Sequence, residues 1–169
     1  MNIKSLKVGC NARERRRVAF QKKNQKEQFG NEVESQKINN MVKKSILIWL
    51  SIIPLAILNG GFREIVLTPR LGENCAQPIS GIILIFLLFI VSFIFIPRIG
   101  KGLPKTYWEI GVLWVAMTIV FETILGLAMG DTVMELMKAY DFTTGNLWLF
   151  VVLFTGITPW LVAKIKKII

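Results

Sequence analysis

The sequence predicts an all-α protein built around a four-transmembrane-helix bundle, and composition, apolar runs and charge placement all support this fold class. Of the 169 residues, 53% are hydrophobic and 19% are charged, whereas soluble chains average about 25% charged residues. A helix crosses a membrane with about 20 mostly apolar residues. The predicted spans lie at about residues 45–64, 79–96, 107–129 and 146–163.

Residues 1–40 are predicted to form a disordered basic cytoplasmic tail, and residues 41–169 the membrane domain. Residues 1–44 hold 12 Lys/Arg and 4 acidic residues, a net +8 of the chain's +10. A segment this polar does not offset its ordering entropy by burial. A short amphipathic helix on the membrane surface is the alternative. Met41 directly precedes the first apolar run, so residues 1–40 are also interpretable as an upstream-start extension, which mass spectrometry of the mature N-terminus would decide.

The first span has the weakest hydropathy signal. Its apolar run at residues 45–58 is short, and the span reaches membrane length only by including Asn59, Arg63 and Glu64. A signal peptide starting at Met41 is the competing interpretation, although no small-x-small cleavage site follows it cleanly. Residues 65–78 are predicted to form the loop that follows this span, because Pro69, Gly72 and Pro78 interrupt a regular helix there.

The third span, Tyr107–Met129, carries Glu122 inside its apolar run. Between the third and fourth spans, a short interfacial helix is predicted at residues 132–140. Thr132 and Glu135 have the spacing of a capping box there. Tyr140 and Asp141 are then predicted to lie in the turn that leads into the fourth span.

Lys and Arg residues set the predicted orientation. Twelve lie in residues 1–44 and three in each of the 98–106 loop and the C-terminus, against two in 59–78 and one in 130–145. Because cytoplasmic segments are enriched in these residues, both termini are predicted to be cytoplasmic. Four tryptophans near predicted span ends fit interfacial anchoring: Trp49, Trp108, Trp148 and Trp160.

A polar layer is predicted within the bundle, formed by Asn59, Arg63, Glu122 and Thr155. At about 1.5 Å per helical residue, these groups fall at similar depth in the outer half of the membrane. Three interpretations stay open: a structural Arg63–Glu122 ion pair, a titrating or small-ligand site open to the outer side, and a Glu122 that faces an oligomer interface or thinned lipid. Glu64, Tyr140 and Asp141 are secondary candidates, of which Glu64 is read as a solvated charge.

Several chemistries are excluded by residue content. The chain has no His and only two cysteines, Cys10 and Cys75, so imidazole bases and His-ligated metals are absent. No P-loop, GxSxG, HExxH or CxxC motif is present. We therefore expect no catalytic residues, no metal and no cofactor, and a protein that is not an enzyme.

Four short patterns give the chain a family likeness. They are N-G-x-x-R-E at 59–64, P-R-L-G at 69–72, F-E-x-x-x-G at 121–126 and D-x-x-x-G-x-L-W at 141–148. From Met41 onward the chain resembles uncharacterised small four-span bacterial inner-membrane proteins. The resemblance implies a bacterial cytoplasmic-membrane location and no assigned activity. After the third span, such proteins have a longer segment that contains a His, whereas this chain has Leu127-Ala128-Met129. A function that depends on that His is therefore not implied for this chain.

From these observations we expect a structural or accessory membrane component whose partners are the lipid bilayer and either a second copy or another membrane protein. The alternative is a small multimeric transporter or channel-like protein that uses Glu122 and Arg63. The basic tail suits an anionic membrane surface better than nucleic acid, because the rest of the chain is apolar.

Overall fold

The computed structural model describes residues 3–130, 132–134 and 147–169, with side chains from Glu14 onward. All secondary structure in these ranges is helical, which confirms the predicted all-α class. Four helical segments are long and apolar enough to cross a membrane, judged by length and composition. The elements are α1 (Ile3–Phe62), a π-helical turn (Arg63–Leu67), α2 (Thr68–Leu71), α3 (Glu73–Phe95), a 3-10 turn (Ile96–Arg98), α4 (Pro104–Met129) and α5 (Trp148–Ile165).

The chain divides into two compact units, residues 1–39 and residues 40–169. In the first unit α1 is helical and its side chains are exposed throughout residues 14–37, where the sequence predicts disorder. Lys, Arg, Gln and Glu are good helix formers, so local propensity accounts for a helix that has no buried face. Most helical stability in proteins comes from packing, and this segment packs no side chains into a core. That the free tail is disordered in solution therefore stays a prediction.

The first apolar helix continues past the predicted end of its span. The π-helical turn and α2 extend it to Leu71, and the chain reverses at Gly72, whose φ is +76°. Pro69 has no N–H to donate within this continuous helix, a loss that membrane helices tolerate. The loop predicted over 65–78 is therefore reduced to a turn, because its Pro residues are accommodated within helices.

The second unit has one hydrophobic core to which all four long helices contribute. Tyr107, Ile110 and Trp114 of α4 are fully buried in it, and the Trp114 indole donates a hydrogen bond to the Ser45 carbonyl at 3.2 Å. Residues of the same cluster from the other elements are Met41, Ile48, Trp49, Ile52, Leu88, Ile96, Ile99, Val162 and Ala163.

The backbones of α4 and α5 meet at a pair of glycines. A Cβ atom on Gly111 would overlap the Gly156 carbonyl oxygen, and one on Gly156 would lie 2.8 Å from Val115 Cγ2. Small residues of this kind let helices approach closely in membranes. A Cβ on Gly60 or Gly61, in contrast, would meet no atom within 4 Å.

Eight of the ten described Lys and Arg residues of the second unit gather at one end of the bundle, called here the basic end. The start of α1 and the end of α3 meet there, since Lys44 Nζ lies 3.5 Å from the Arg98 carbonyl oxygen. The basic end comprises Lys43, Lys44, Arg98, Lys101, Lys105, Lys164, Lys166 and Lys167. The predicted clustering of positive charge at one end of the helices is therefore present in the fold.

The predicted interfacial helix at residues 132–140 lies outside the described residues, apart from 132–134. The start of the fourth span also differs from the predicted residue 146, because α5 begins at Trp148. Hydropathy locates an apolar run well, but the first helical residue depends on local hydrogen bonds that hydropathy does not report.

Candidate functional site

A small cavity lies inside the second unit, between α1, α3, α4 and α5. Its volume is about 40 Å³, which is enough for about two water molecules. The polar side chains on its wall belong to Thr118, Glu122 and Thr155, with the indoles of Trp49 and Trp148 beside them. The apolar part of the wall consists of Ile52, Ile53, Ala56, Leu84, Leu88, Phe121 and Val151.

Glu122 is the charged residue of this wall. It is half-buried on α4 and accepts no hydrogen bond from a described side chain. Removing a carboxylate from water is costly unless hydrogen bonds replace the lost hydration, and water or a proton at the Glu122 oxygens lowers that cost. The cavity in front of Glu122 is large enough to supply that water.

Two threonines complete the polar part of the cavity. Thr118 lies four residues before Glu122 on the same helix, and its hydroxyl oxygen accepts a hydrogen bond from Trp49 Nε1 at 3.0 Å. Thr155 donates its hydroxyl proton to the Val151 carbonyl at 2.8 Å, so it presents only an acceptor to the cavity. Trp49 also packs edge-on against Phe121, with ring centres 6.1 Å apart.

Arg63 and Glu64 pair with each other on the π-helical turn. Arg63 donates from Nε and Nη2 to one Glu64 carboxylate oxygen, at 3.2 and 2.9 Å. The Arg63–Glu122 ion pair is thus not formed among the described residues, although the Arg63 charge acts electrostatically on the Glu122 carboxyl group. The Glu64 side chain is 64% exposed, and an exposed ion pair contributes little to stability.

Asn59 links α1 to α3. Its side-chain amide donates to the Ser80 carbonyl at 3.1 Å and to the Ser80 hydroxyl at 2.8 Å. The side-chain oxygen of Asn59, Oδ1, is buried and has no hydrogen-bond partner among the described residues. Interhelical hydrogen bonds of this kind join helices in membranes.

The predicted polar layer therefore separates into three parts. Glu122 and Thr155 line the same cavity, Asn59 joins two helices, and Arg63 pairs with its sequence neighbour. Tyr140 and Asp141 lie outside the described residues.

Three polar groups of the cavity were not predicted from the sequence. Thr118 has the i, i+4 spacing to Glu122 that would have revealed it. Trp49 and Trp148 were predicted to be interfacial anchors, and both also line the cavity. Their inward orientation depends on helix rotation, for which the apolar sequence around them gives no periodic signal.

Among the described residues, no group of three or more Cys, Asp or Glu side chains is placed to hold a metal ion. Comparison of the chain with protein-family models, with curated proteins and with solved structures found no match.

Proposed function

We propose that this chain is a non-enzymatic structural or accessory component of the bacterial cytoplasmic membrane, with both termini on the cytoplasmic side. The observation that supports this proposal is the filled interior of the helical unit. Large side chains such as Trp114 and Tyr107 are fully buried, and α4 and α5 touch through Gly111 and Gly156. Such packing leaves the small Glu122 cavity but no wide passage along the α4–α5 contact.

The exterior of the helices supports a role in which lipid or another membrane protein covers the chain. Large apolar side chains are exposed on each apolar helix, among them Leu58, Phe86, Val112 and Leu153. In a membrane such surface faces acyl chains or a second set of helices. We include in this proposal the resemblance to small four-span inner-membrane proteins, which implies the same location.

The proposal is tested by purifying the full chain from its native membrane in mild detergent. We expect a particle mass above the 19.2 kDa of one chain, measured by light scattering with the detergent contribution subtracted. The added mass would be a second copy or a stoichiometric membrane-protein partner identified by mass spectrometry. A uniform 19.2 kDa protein with no partner would contradict an accessory role.

Glu122 favours a second candidate function, a small multimeric transporter or channel-like protein. An ionisable residue inside a membrane commonly marks a pathway, and this one lies on the wall of a cavity whose other side chains are mostly apolar. Arg63 does not line the cavity. It is included in this candidate function because its positive charge acts electrostatically on the Glu122 carboxyl group.

Flux measurements in liposomes separate the two candidates. If the chain transports protons or small solutes, Glu122→Gln should abolish a flux that wild-type protein supports. Glu109→Gln is the matched control, because Glu109 is an exposed carboxylate on the same helix, paired with Lys105 at 3.7 Å. Equal background flux from all three proteins would rule out the transport function.

A further inference from the structure

The basic end of the second unit has far more positive than negative charge. Its eight Lys and Arg side chains are all exposed. The acidic groups described at this end of residues 40–169 are Glu109, which Lys105 already pairs, and the terminal carboxylate of Ile169. Most of these cations therefore have no carboxylate partner among the described residues of the unit.

Three of the cations come from three separate parts of the chain and lie near the carboxyl end of α3. Lys44 of α1 places its Nζ atom 3.5 Å from the Arg98 carbonyl oxygen. Lys166, just beyond α5, holds its Nζ atom 3.5 Å from the centre of the Phe93 ring. Arg98 lies in the 3-10 turn that α5 packs against. These three residues are called here the α3-end cations.

The α3-end cations are held in place by groups that do not neutralise them. Arg98 donates to the Ile94 carbonyl oxygen, and its guanidinium group lies 5.4 Å from the Phe95 ring centre. An aromatic ring and a backbone carbonyl attract a cation but leave its net charge in place. An anion can therefore still be attracted to all three.

Apolar side chains are exposed within about one helical turn of these cations. Leu47 follows Lys44 on α1 and is 67% exposed, while Ile94 and Phe95 precede Arg98 and are 47% and 42% exposed. The surface thus offers positive charge at the end of the bundle and an apolar flank along the helices. A ligand that matches both needs a negative headgroup and a hydrocarbon chain.

We propose that Lys44, Arg98 and Lys166 bind the phosphodiester group of an anionic phospholipid, whose acyl chains lie along the exposed apolar side chains beside them. Clusters of basic residues at a membrane surface attract anionic headgroups, and each cation raises the affinity about fivefold. A free phosphate satisfies the cations but leaves the apolar flank uncovered, so the lipid fits more of the surface. This inference rests on the proposed membrane location and not on either proposed role.

The test uses the full chain purified in a neutral detergent and titrated with phosphatidylglycerol or phosphatidylcholine, with bound lipids counted by native mass spectrometry. We expect phosphatidylglycerol to bind and phosphatidylcholine to bind much less. The variant Lys44→Gln with Lys166→Gln should weaken phosphatidylglycerol binding about 25-fold. Arg98 is left unchanged in this variant because its guanidinium group also donates a hydrogen bond to the Ile94 carbonyl oxygen near the end of α3.

The matched control is Lys101→Gln with Lys167→Gln, which removes the same charge from the same end of the unit. It should retain most of the binding; a loss equal to that of the first variant would mean a diffuse charge effect and overturn the site. Equal binding of both lipids, or release of the lipid by inorganic phosphate at the lipid's own concentration, would overturn the lipid assignment. Lys166→Gln alone, with an expected fivefold loss, serves as the second variant should the double variant fold poorly.

Discussion

Single polar residues inside the helical unit act chiefly through one or two hydrogen bonds each. Asn59 is the clearest case, because its amide donates both bonds to Ser80 across α1 and α3. Its depth was predicted from the sequence, but its partner was not, since a serine inside an apolar run gives no directional signal. An ion pair between Arg63 and the distant Glu122 was one of three interpretations of the sequence, whereas in the structure Arg63 pairs with the neighbouring Glu64.

At this scale we predict that Asn59→Ala destabilises the unit by about 1 kcal/mol, as expected for interhelical hydrogen bonds in membranes. Ser80→Ala should cost less, because the Ser80 carbonyl oxygen remains available to the Asn59 amide. Unfolding in a denaturing-detergent titration measures both, with exposed Asn39→Ala as control. Strictly additive losses in the Asn59→Ala, Ser80→Ala double variant would argue against a shared hydrogen bond.

Helices as elements were largely predictable, and their contacts were not. Apolar runs located α4 and α5 to within three residues at each end, and α3 to within six, because the hydrophobic content of a span is a property of the local sequence. The junction over residues 65–78 was mistaken for a loop, since Pro and Gly mark turns in water but are tolerated within membrane helices. The Gly111–Gly156 contact was missed because it depends on how two helices cross.

The contact of α4 with α5 leads to the second prediction. Gly111→Ala should lower stability by about 1–3 kcal/mol, the usual cost of overpacking, because the new methyl group would overlap the Gly156 carbonyl oxygen. Gly61→Ala is the matched control, since a Cβ there meets no atom within 4 Å. Thermal unfolding followed by circular dichroism compares them. Equal unfolding temperatures for the two variants would contradict this prediction, because they would mean that the methyl group at residue 111 does not destabilise the contact of α4 with α5.

The molecule as a whole consists of a polar helical unit and an apolar one, and the hydrophobic core formed by the described side chains lies in the second. The core begins at Met41, which is 2% exposed and lies against Gly102. Residues 14–37 are exposed and contribute nothing to that core. The division was visible in the sequence because charge and hydropathy both change near residue 41.

We therefore predict that a chain of residues 41–169 keeps the helical content of the second unit and unfolds within about 2 °C of the full chain, because no core residue is lost. In contrast, Met41→Ala in the full chain should cost about 2 kcal/mol or more, the low end for a buried Met→Ala change. Circular dichroism and thermal unfolding in the same detergent measure both. A shortened chain that unfolds many degrees lower would mean that residues 1–40 stabilise the membrane unit. If Met41→Ala has no effect while the shortened chain is unstable, the core does not begin at Met41.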